Sequence, residues 1–402
     1  MTGDTSVVVV GAGPAGTAAA ITLARAGVAV TVVDKARFPR DKTCGDGLTA
    51  GALRILEDLG LDPRSVASWL KVDDVVVRSP SGREATFPLP RDRGTYAAVT
   101  RRVDLDAALL DLARSAGVKV LDGHACTGVT ELDDGVEVEV TDVGVLRADW
   151  IVAADGMWSP VRKHLGFDTP GYRGEWHAFR QYFAGVGPRA ASELFVWFEP
   201  DLLPGYAWSF PLPDGHANVG FGIQRGGKVG IQEMAAIWRE LLDRPHIRDV
   251  LGDAAVAESV HKAWPIPARV DEAVLTGRRT LFVGDAAAAT DPMTGEGIGQ
   301  ALLTGVLAAE AITAGGDASR VTGTYRRAVE RALVADHKLS TFLIRALRHR
   351  KGARAAVRIA GASRWTRANF GRWLFEDYPR AVLLTPRRWR RGMLSGPGAY
   401  RS

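Results

Sequence analysis

Gly11, Gly13 and Gly16 stand close together near the start of the chain, with Pro14 and Ala15 between them, and Asp34 follows about 20 residues on, the interval of a dinucleotide fingerprint. The chemistry of such a set is the holding of a diphosphate and a ribose. Gly11 allows a sharp turn, Gly13 lets the backbone approach a pyrophosphate, Gly16 lets a helix lie against a strand, and Asp34 can accept from a ribose hydroxyl. Further residues of reactive or recognising type are scattered downstream. Asp155-Gly156 and Gly284-Asp285 each end an apolar run, Gly295 and Gly297 precede a long apolar stretch, and Tyr206, Trp208 and Phe210 alternate along one segment. Alternation puts those three aromatics on one face, either as core or as a wall for a long apolar ligand. Cys44, in Cys44-Gly45-Asp46-Gly47-Leu48, reads as a small buried residue or as a thiol at a reaction centre. His177 and His216 are candidates for proton transfer by residue type only.

The elements that must position these residues are legible from periodicity. Val7 to Val10 is a β-branched run, Thr17 to Ala26 is rich in helix formers, Gly27 stops the helix, and Val28 to Val33 leads to Asp34: one βαβ unit. Ser6 to Ala24 lacks charge, but Gly11, Gly13, Pro14 and Gly16 crowd its first part, which argues against a membrane span. Thr49 is placed to cap a helix over 50–59. Residues 72–78 and 84–87 predict a hairpin, 104–116 a helix, 118–121 a strand, Asp134-Gly135 a turn, 150–154 and 281–283 buried strands, and 299–314 an apolar helix. Between about Pro170 and Thr276 the pattern is of long aromatic strands with no βαβ repeat. The expected division is a discontinuous nucleotide-binding domain (1–72, 98–169, 277–330), an inserted antiparallel-sheet substrate domain (73–97, 170–276) and a basic helical C-terminal region (331–402). No internal repeat is evident, and Gly222 to Gly230 lacks the context of a second fingerprint.

At 402 residues, 46% hydrophobic and 24% charged, the chain can bury a full core. Two cysteines, Cys44 and Cys126, are too few for a disulfide framework and have no metal-type spacing. No basic-then-apolar leader opens the sequence, so a cytoplasmic protein is expected. The net charge of +5 is divided unevenly. Residues 338–402 hold 16 Lys or Arg against Glu376 and Asp377, a balance of +14, and residues 1–337 carry −9. With Phe342, Leu343, Trp365, Phe370, Trp373, Leu374 and Trp389 interspersed, that composition suits an anionic membrane surface or a clamp on the acidic body. Nucleic acid fits the charge, but nothing else in the chain calls for it.

Together the fingerprint with Asp34, Asp155-Gly156 with Ser159 and Arg162, the run from Gly284-Asp285 through Asp291-Pro292 to Gly295-Glu296-Gly297-Ile298, and Arg102 four before Asp106 resemble the FAD-dependent superfamily of aromatic hydroxylases. Cys44-Gly45-Asp46-Gly47 and Pro204-Gly205-Tyr206-Ala207-Trp208-Ser209-Phe210-Pro211 are similar to segments of its geranylgeranyl reductase family, although Leu212 and Pro213 stand where that family often turns on a glycine. The resemblance spans about residues 1–330. It implies an α/β fold with a Rossmann-like FAD-binding domain and FAD as cofactor. The site it implies comprises Gly11, Gly13, Pro14, Ala15, Gly16, Asp34, Lys35, Cys44, Gly45, Arg102, Asp155, Gly156, Asp285, Pro292, Gly295, Gly297 and Ile298, with Tyr206, Trp208 and Phe210 toward substrate. Helix geometry adds that unpaired N–H groups after Gly297 would face an electron-rich ring edge. Trp264 is expected to be structural. The implied activity is saturation of double bonds in a polyprenyl chain, on a geranylgeranyl lipid or an isoprenoid quinone, with NADPH, a ferredoxin or a small flavin reductase as electron donor. The alternative is a FAD-dependent monooxygenase or halogenase on an aromatic or polyketide substrate, and a third reading is a flavin-binding regulatory or assembly module without turnover. A lipid substrate would bring the cytoplasmic protein to the inner face of the cell membrane as a peripheral protein.

Overall fold

The computed structural model describes residues 6–389 and 396–401. Its organising element is a five-stranded parallel sheet in the order Thr280–Phe282, Trp150–Ala153, Val7–Val10, Val30–Asp34, Lys119–Asp122. All five strands fall on runs that the sequence marks, and each sends the chain out at the same sheet edge, where a parallel sheet gathers its ligands. The fingerprint helix spans Pro14–Arg25, three residues earlier than the sequence suggests. Pro14 is the reason: at the first helical position its fixed φ is already that of a helix and its missing N–H costs nothing. Likewise the later helices run Arg102–Ser115 and Ile298–Thr313. Thr49 caps Ala50–Asp58 as expected, its hydroxyl accepting from Ala52 N.

A second, eight-stranded sheet is built largely from residues 176–266, with the hairpin Asp74–Arg78/Glu84–Pro88 joining it through a parallel pairing of Asp74–Arg78 with Leu194–Trp197. Its two faces have different neighbours, and strand alternation decides which residue meets which. On one face Phe179, Phe195, Trp197 and Phe221 pack under the helices Met234–Leu242 and Pro245–Leu251. The other face presents Val75, Val77, Tyr182, Leu194 and Leu212 to Val357, Ala360 and Phe375 of the C-terminal region. Each large side chain buried there contributes on the order of 2 kcal/mol.

The C-terminal region is a wall of the molecule rather than an appendage. A helical run from Ala318 to Leu347, with a π-turn at Glu330–Val334, is followed by Arg350–Ala360 and Arg364–Leu374. Phe370 packs its ring on Phe87 of the sheet at 4.8 Å between centroids, and Phe375 O accepts from Ala50 N at 2.8 Å. Ala399 then pairs with Thr95. Among the described residues no helix is long and apolar enough to cross a membrane.

Candidate active site

The parallel sheet's ligand edge, the eight-stranded sheet and the C-terminal helices enclose one cavity of about 1010 Å³. It begins at the fingerprint. Gly11 has φ +105°, a conformation open to glycine, and a Cβ there would collide with the carbonyl of Ala154; one on Gly16 would collide with that of Gly11. Two guanidiniums overlook the turn, for the Cβ position of Gly13 lies 3.7 Å from Arg40 Nη2 and 3.8 Å from Arg102 Nη2. Both are held by one fully buried carboxylate. Asp106 takes Arg102 Nε and Nη2 at 2.7 Å each and Arg40 Nη1 at 2.7 Å. Burial opposes the charge on Arg102, but Asp106 overcomes it and holds the guanidinium protonated. Asp34 accepts from Ala12 N and Ala36 N at 2.8 Å each, which ties the two turns together and leaves its outer lone pairs on the cavity.

Asp155 stands at the end of Trp150–Ala153. Its Oδ2 accepts from Val161 N at 2.9 Å, and its Oδ1 is buried with no partner among the described residues, while burial pushes its pKa up to about 6. A glycine cradle, two convergent guanidiniums and an orphaned acceptor fit a dinucleotide with a diphosphate and polyol chain, so the residues present fit FAD.

Beyond the fingerprint the wall is formed by the Cys44 loop. Asp46, at φ +67° and fully buried, accepts at Oδ2 from Tyr182 Oη and Asn218 Nδ2, each at 2.7 Å, and its Oδ1 has no partner among the described residues. Burial raises its pKa to about 6 against those hydrogen bonds. Asn218 also donates to Cys44 O at 2.9 Å and accepts from Trp208 Nε1 at 3.1 Å, so the loop and the aromatic strand are one hydrogen-bonded unit. The Cys44 thiol, which accepts from Asp46 N at 3.4 Å, is pushed up by burial and stays protonated near neutrality. Lys42, at 3.2 Å over the Trp264 ring, is pulled down to about 8 by burial.

Tyr206, Trp208 and Phe210 are in sequential ring contact and all line the cavity. Opposite them stand the small and apolar side chains of the C-terminal helices, among them Leu347, Ala353, Ala356 and Trp373. Ala346, Ala356 and Ile359 line the cavity and are also exposed, so it opens between Ala335–Leu347 and Arg350–Ala360.

At the junction of the two halves is the segment Asp291–Ile298. Tyr206 Oη donates to Thr294 O, and Asp291 is a buried hub that accepts from Thr294 N, Ser340 Oγ and Arg380 Nη1 at 2.9, 2.7 and 2.7 Å. Glu296 faces the cavity and accepts from Gly299 N at 2.5 Å through Oε1. That bond corrects one expectation: one of the amides at this helix start is already capped by the chain itself.

Of the residues singled out in the sequence, Gly11, Gly13, Pro14, Ala15, Asp34, Lys35, Cys44, Gly45, Arg102, Asp155, Gly156, Asp285, Gly295, Gly297 and Ile298 border this cavity. Gly16 and Pro292 do not; the first packs helix on strand and the second is buried in the Asp291–Glu296 turn. His177 and His216 lie off it, paired with Arg225 at 3.3 Å and Glu258 at 3.0 Å. Trp264, expected to be structural, borders it. Arg40, Lys42 and Glu376 carried no sequence signal that placed them at the cavity; Glu296 was marked only as part of the run from Gly295 to Ile298, and the helical C-terminal region was expected without a place in the site.

Three comparisons bear on this arrangement. Residues 4–318 match the family described as FAD binding domain. The chain is 36% identical over 337 residues to the menaquinone reductase of Mycolicibacterium smegmatis, covering 77% of this chain and 76% of that one. It is 33% identical over 314 residues to digeranylgeranylglycerophospholipid reductase 2 of Methanopyrus kandleri, covering 76% of each. Among solved structures, a geranylgeranyl bacteriochlorophyll reductase-like protein from Thermoplasma acidophilum superimposes with a TM-score of 0.80 at 22% identity, over 96% of this chain and 100% of that one, a likeness of fold.

Proposed function

Since the chain belongs to the FAD binding domain family, and within it to the geranylgeranyl reductases as a FAD-dependent oxidoreductase, we propose that it saturates double bonds of a polyprenyl chain carried by a geranylgeranyl lipid or an isoprenoid quinone. The observation that carries the reading is the continuity of the cavity. The dinucleotide cradle and a long apolar channel, walled by Tyr206, Trp208 and Phe210 on one side and by the C-terminal helices on the other, form a single space. A flexible hydrocarbon needs such a channel, because its affinity comes from area removed from water rather than from polar contacts.

Arg40 and Arg102 would hold the FAD diphosphate, Asp34 a ribose, and Asp155 and Asp285 the polyol chain. When bound, FAD supplies the two-electron chemistry, a hydride for one alkene carbon. The chain orients the prenyl segment against the aromatic strand, excludes water with the apolar walls and must deliver a proton to the second carbon. The electrons are proposed to come from NADPH, a ferredoxin or a small flavin reductase.

The exposed mouth between Ala335–Leu347 and Arg350–Ala360 supports peripheral attachment to the inner face of the cell membrane. Arg350, Lys351, Arg354 and Arg358 are exposed on the face of the second helix that turns away from the cavity, and Ile359, Trp365, Leu383, Leu384 and Trp389 are exposed elsewhere in the C-terminal region. A polyprenyl chain could then enter from a bilayer without crossing water. Mass spectrometry of total lipids from a deletion strain tests the function: prenyl chains should retain one or more extra double bonds, and an unchanged lipid profile would count against it.

A further inference from the structure

We propose that Glu296 is the acid that delivers the proton to the alkene, with Glu376 as the positioning residue that keeps it loaded; this rests on the reductase reading above. The argument begins with charge in a dry place. Glu296, Glu376, Asp291 and Arg380 meet at the junction between the cradle and the apolar channel, and all but Glu376 are at least nine-tenths buried. Three carboxyls face one guanidinium there. Arg380 is engaged by Asp291 at 2.7 Å through Nη1 and by Glu376 at 2.9 Å through Nη2, and it makes no ion pair with Glu296. A buried carboxyl without a counter-ion, next to a like charge, keeps its proton. The directions agree: although burial opposes it, Arg380 and hydrogen bonds hold Asp291 below the usual range, whereas burial and then Glu376 raise Glu296. Burial also raises Glu376, against the pairing with Arg380 that favours its charge.

The orientation suits an acid. Oε1 accepts the Gly299 amide, as the carbonyl oxygen of a neutral carboxyl can, and Oε2 has no hydrogen-bond partner among the described residues on a side chain that borders the cavity. Tyr206 and the turn that carries Glu296 are joined through the bond to Thr294 O, so this carboxyl sits where the aromatic wall begins. Resupply has a route. The Cβ position of Gly299 lies 3.1 Å from Glu296 Oε1 and 3.4 Å from Thr49 Oγ1, and Thr49 Oγ1 donates to Glu376 Oε2 at 3.4 Å, so a hydroxyl bonded to Glu376 lies in the neighbourhood of Glu296. Glu376 Oε1 is fixed by Gln300 Nε2 at 3.0 Å as well as by Arg380.

The step balances as follows. The alkene π pair forms a C–H bond with the Glu296 proton, the O–H pair stays on the carboxylate, and the neighbouring carbon takes the hydride of the reduced flavin, which is oxidised by two electrons. Glu376, whose side chain is partly exposed, takes up a proton from solvent and passes it on to restore the acid.

The test uses the FAD-loaded full chain, wild type and Glu296→Gln, which keeps the Gly299 cap and removes the proton. In infrared difference spectra at pH 7 the wild type should show the C=O stretch of a protonated carboxyl that Glu296→Gln lacks. In anaerobic single turnover of the reduced enzyme with detergent-solubilised geranylgeranyl lipid, Glu296→Gln should bind FAD fully and lose at least ~100-fold in saturation rate, with partial recovery in Glu296→Asp. Glu376→Gln should move the alkaline limb of the rate profile to lower pH, since the charge that raises Glu296 is gone; a merely structural role would leave that limb in place. Absence of the infrared band, or wild-type turnover by Glu296→Gln, overturns the assignment while the wild type still reduces the lipid. A wild type that reduces no prenyl lipid overturns the reductase reading instead, and the proton-donor role with it, whatever the infrared result.

Discussion

Single residues in this cavity carry charge states that geometry dictates and type does not. Asp46 is the clearest. It is enclosed with Tyr182, Asn218 and Cys44, faces Arg180 and Arg102, and yet burial raises it from 3.8 to about 6. A carboxyl whose folded pKa exceeds its unfolded value adds stability below pH 4 that is lost as pH rises through 6, because the folded state there binds the extra proton. Urea unfolding of the FAD-loaded protein should therefore show stability falling between pH 4 and 7.5. Asp46→Asn cannot ionise, and its positive φ suits asparagine, so its stability relative to wild type should improve by on the order of 2–3 kcal/mol across that interval. Parallel profiles for the two proteins would show that Asp46 is ionised throughout. Cys44 illustrates the same point: the residue type suggests a nucleophile, but burial outweighs the nearby Arg102 and keeps the thiol neutral.

At the scale of elements, the strand Tyr206–Leu212 and the short strand Lys262–Ile266 each put a tryptophan on the cavity, and they reach it in different surroundings. Trp208 is tied to Asn218 and packed between Tyr206, which it meets edge-on, and the tilted ring of Phe210, whereas Trp264 lies under the Lys42 ammonium near the cradle. Trp208→Ala should therefore raise the KM for prenyl lipid about tenfold or more and leave FAD occupancy near wild type, since a lost aromatic wall removes apolar contact area. Trp264→Ala should mainly alter FAD occupancy, because the desolvated cation loses its ring. Flavin content by absorbance and lipid kinetics separate the two, and indistinguishable variants would refute this division of labour. The Cys44 loop also depends on its neighbours. Its conformation is set by Asn218 and Tyr182 of the eight-stranded sheet, so strands more than 130 residues later in the chain determine one loop.

The whole molecule uses its uneven charge in two ways. Some basic residues near the C terminus close the protein on itself: Arg372 pairs with Asp377, Arg380 with Asp291 and Glu376, and Arg388 with Asp336. Others, on Arg350–Ala360, stay exposed on the face of that helix that turns away from the cavity. Of the arginines near the end of the chain that suit membrane contact, Arg387 is exposed, Arg388 is thus committed, and Arg390 and Arg391 lie outside the described residues. Co-sedimentation with anionic vesicles should instead depend on Arg350, Lys351, Arg354 and Arg358. At ~1 kcal/mol each near an anionic surface, replacing all four with serine should weaken binding at least tenfold, and raised salt should mimic the change. Equal binding of this variant and the wild type would remove the mouth from the membrane contact.

The sequence by itself determined the nucleotide half. The spaced glycines, the β-branched runs and the Thr49 cap are local signals, each read within one or two turns of chain, and the strands and helices they predict form within a few residues of their expected ends. The aromatic alternation of Tyr206, Trp208 and Phe210 was equally local, but it could not say whether the face was core or cavity. Only the tertiary structure decided that, because the answer depends on what packs opposite, here helices more than 130 residues later in the chain. The same holds for Arg40 and Arg102, which converge through Asp106, and for Trp264, which joins the cavity through Lys42. Glu296 was visible only as one letter between two glycines. Its lack of a counter-ion follows from Arg380 reaching Asp291 and Glu376 first, a matter of distances that no spacing along the chain encodes.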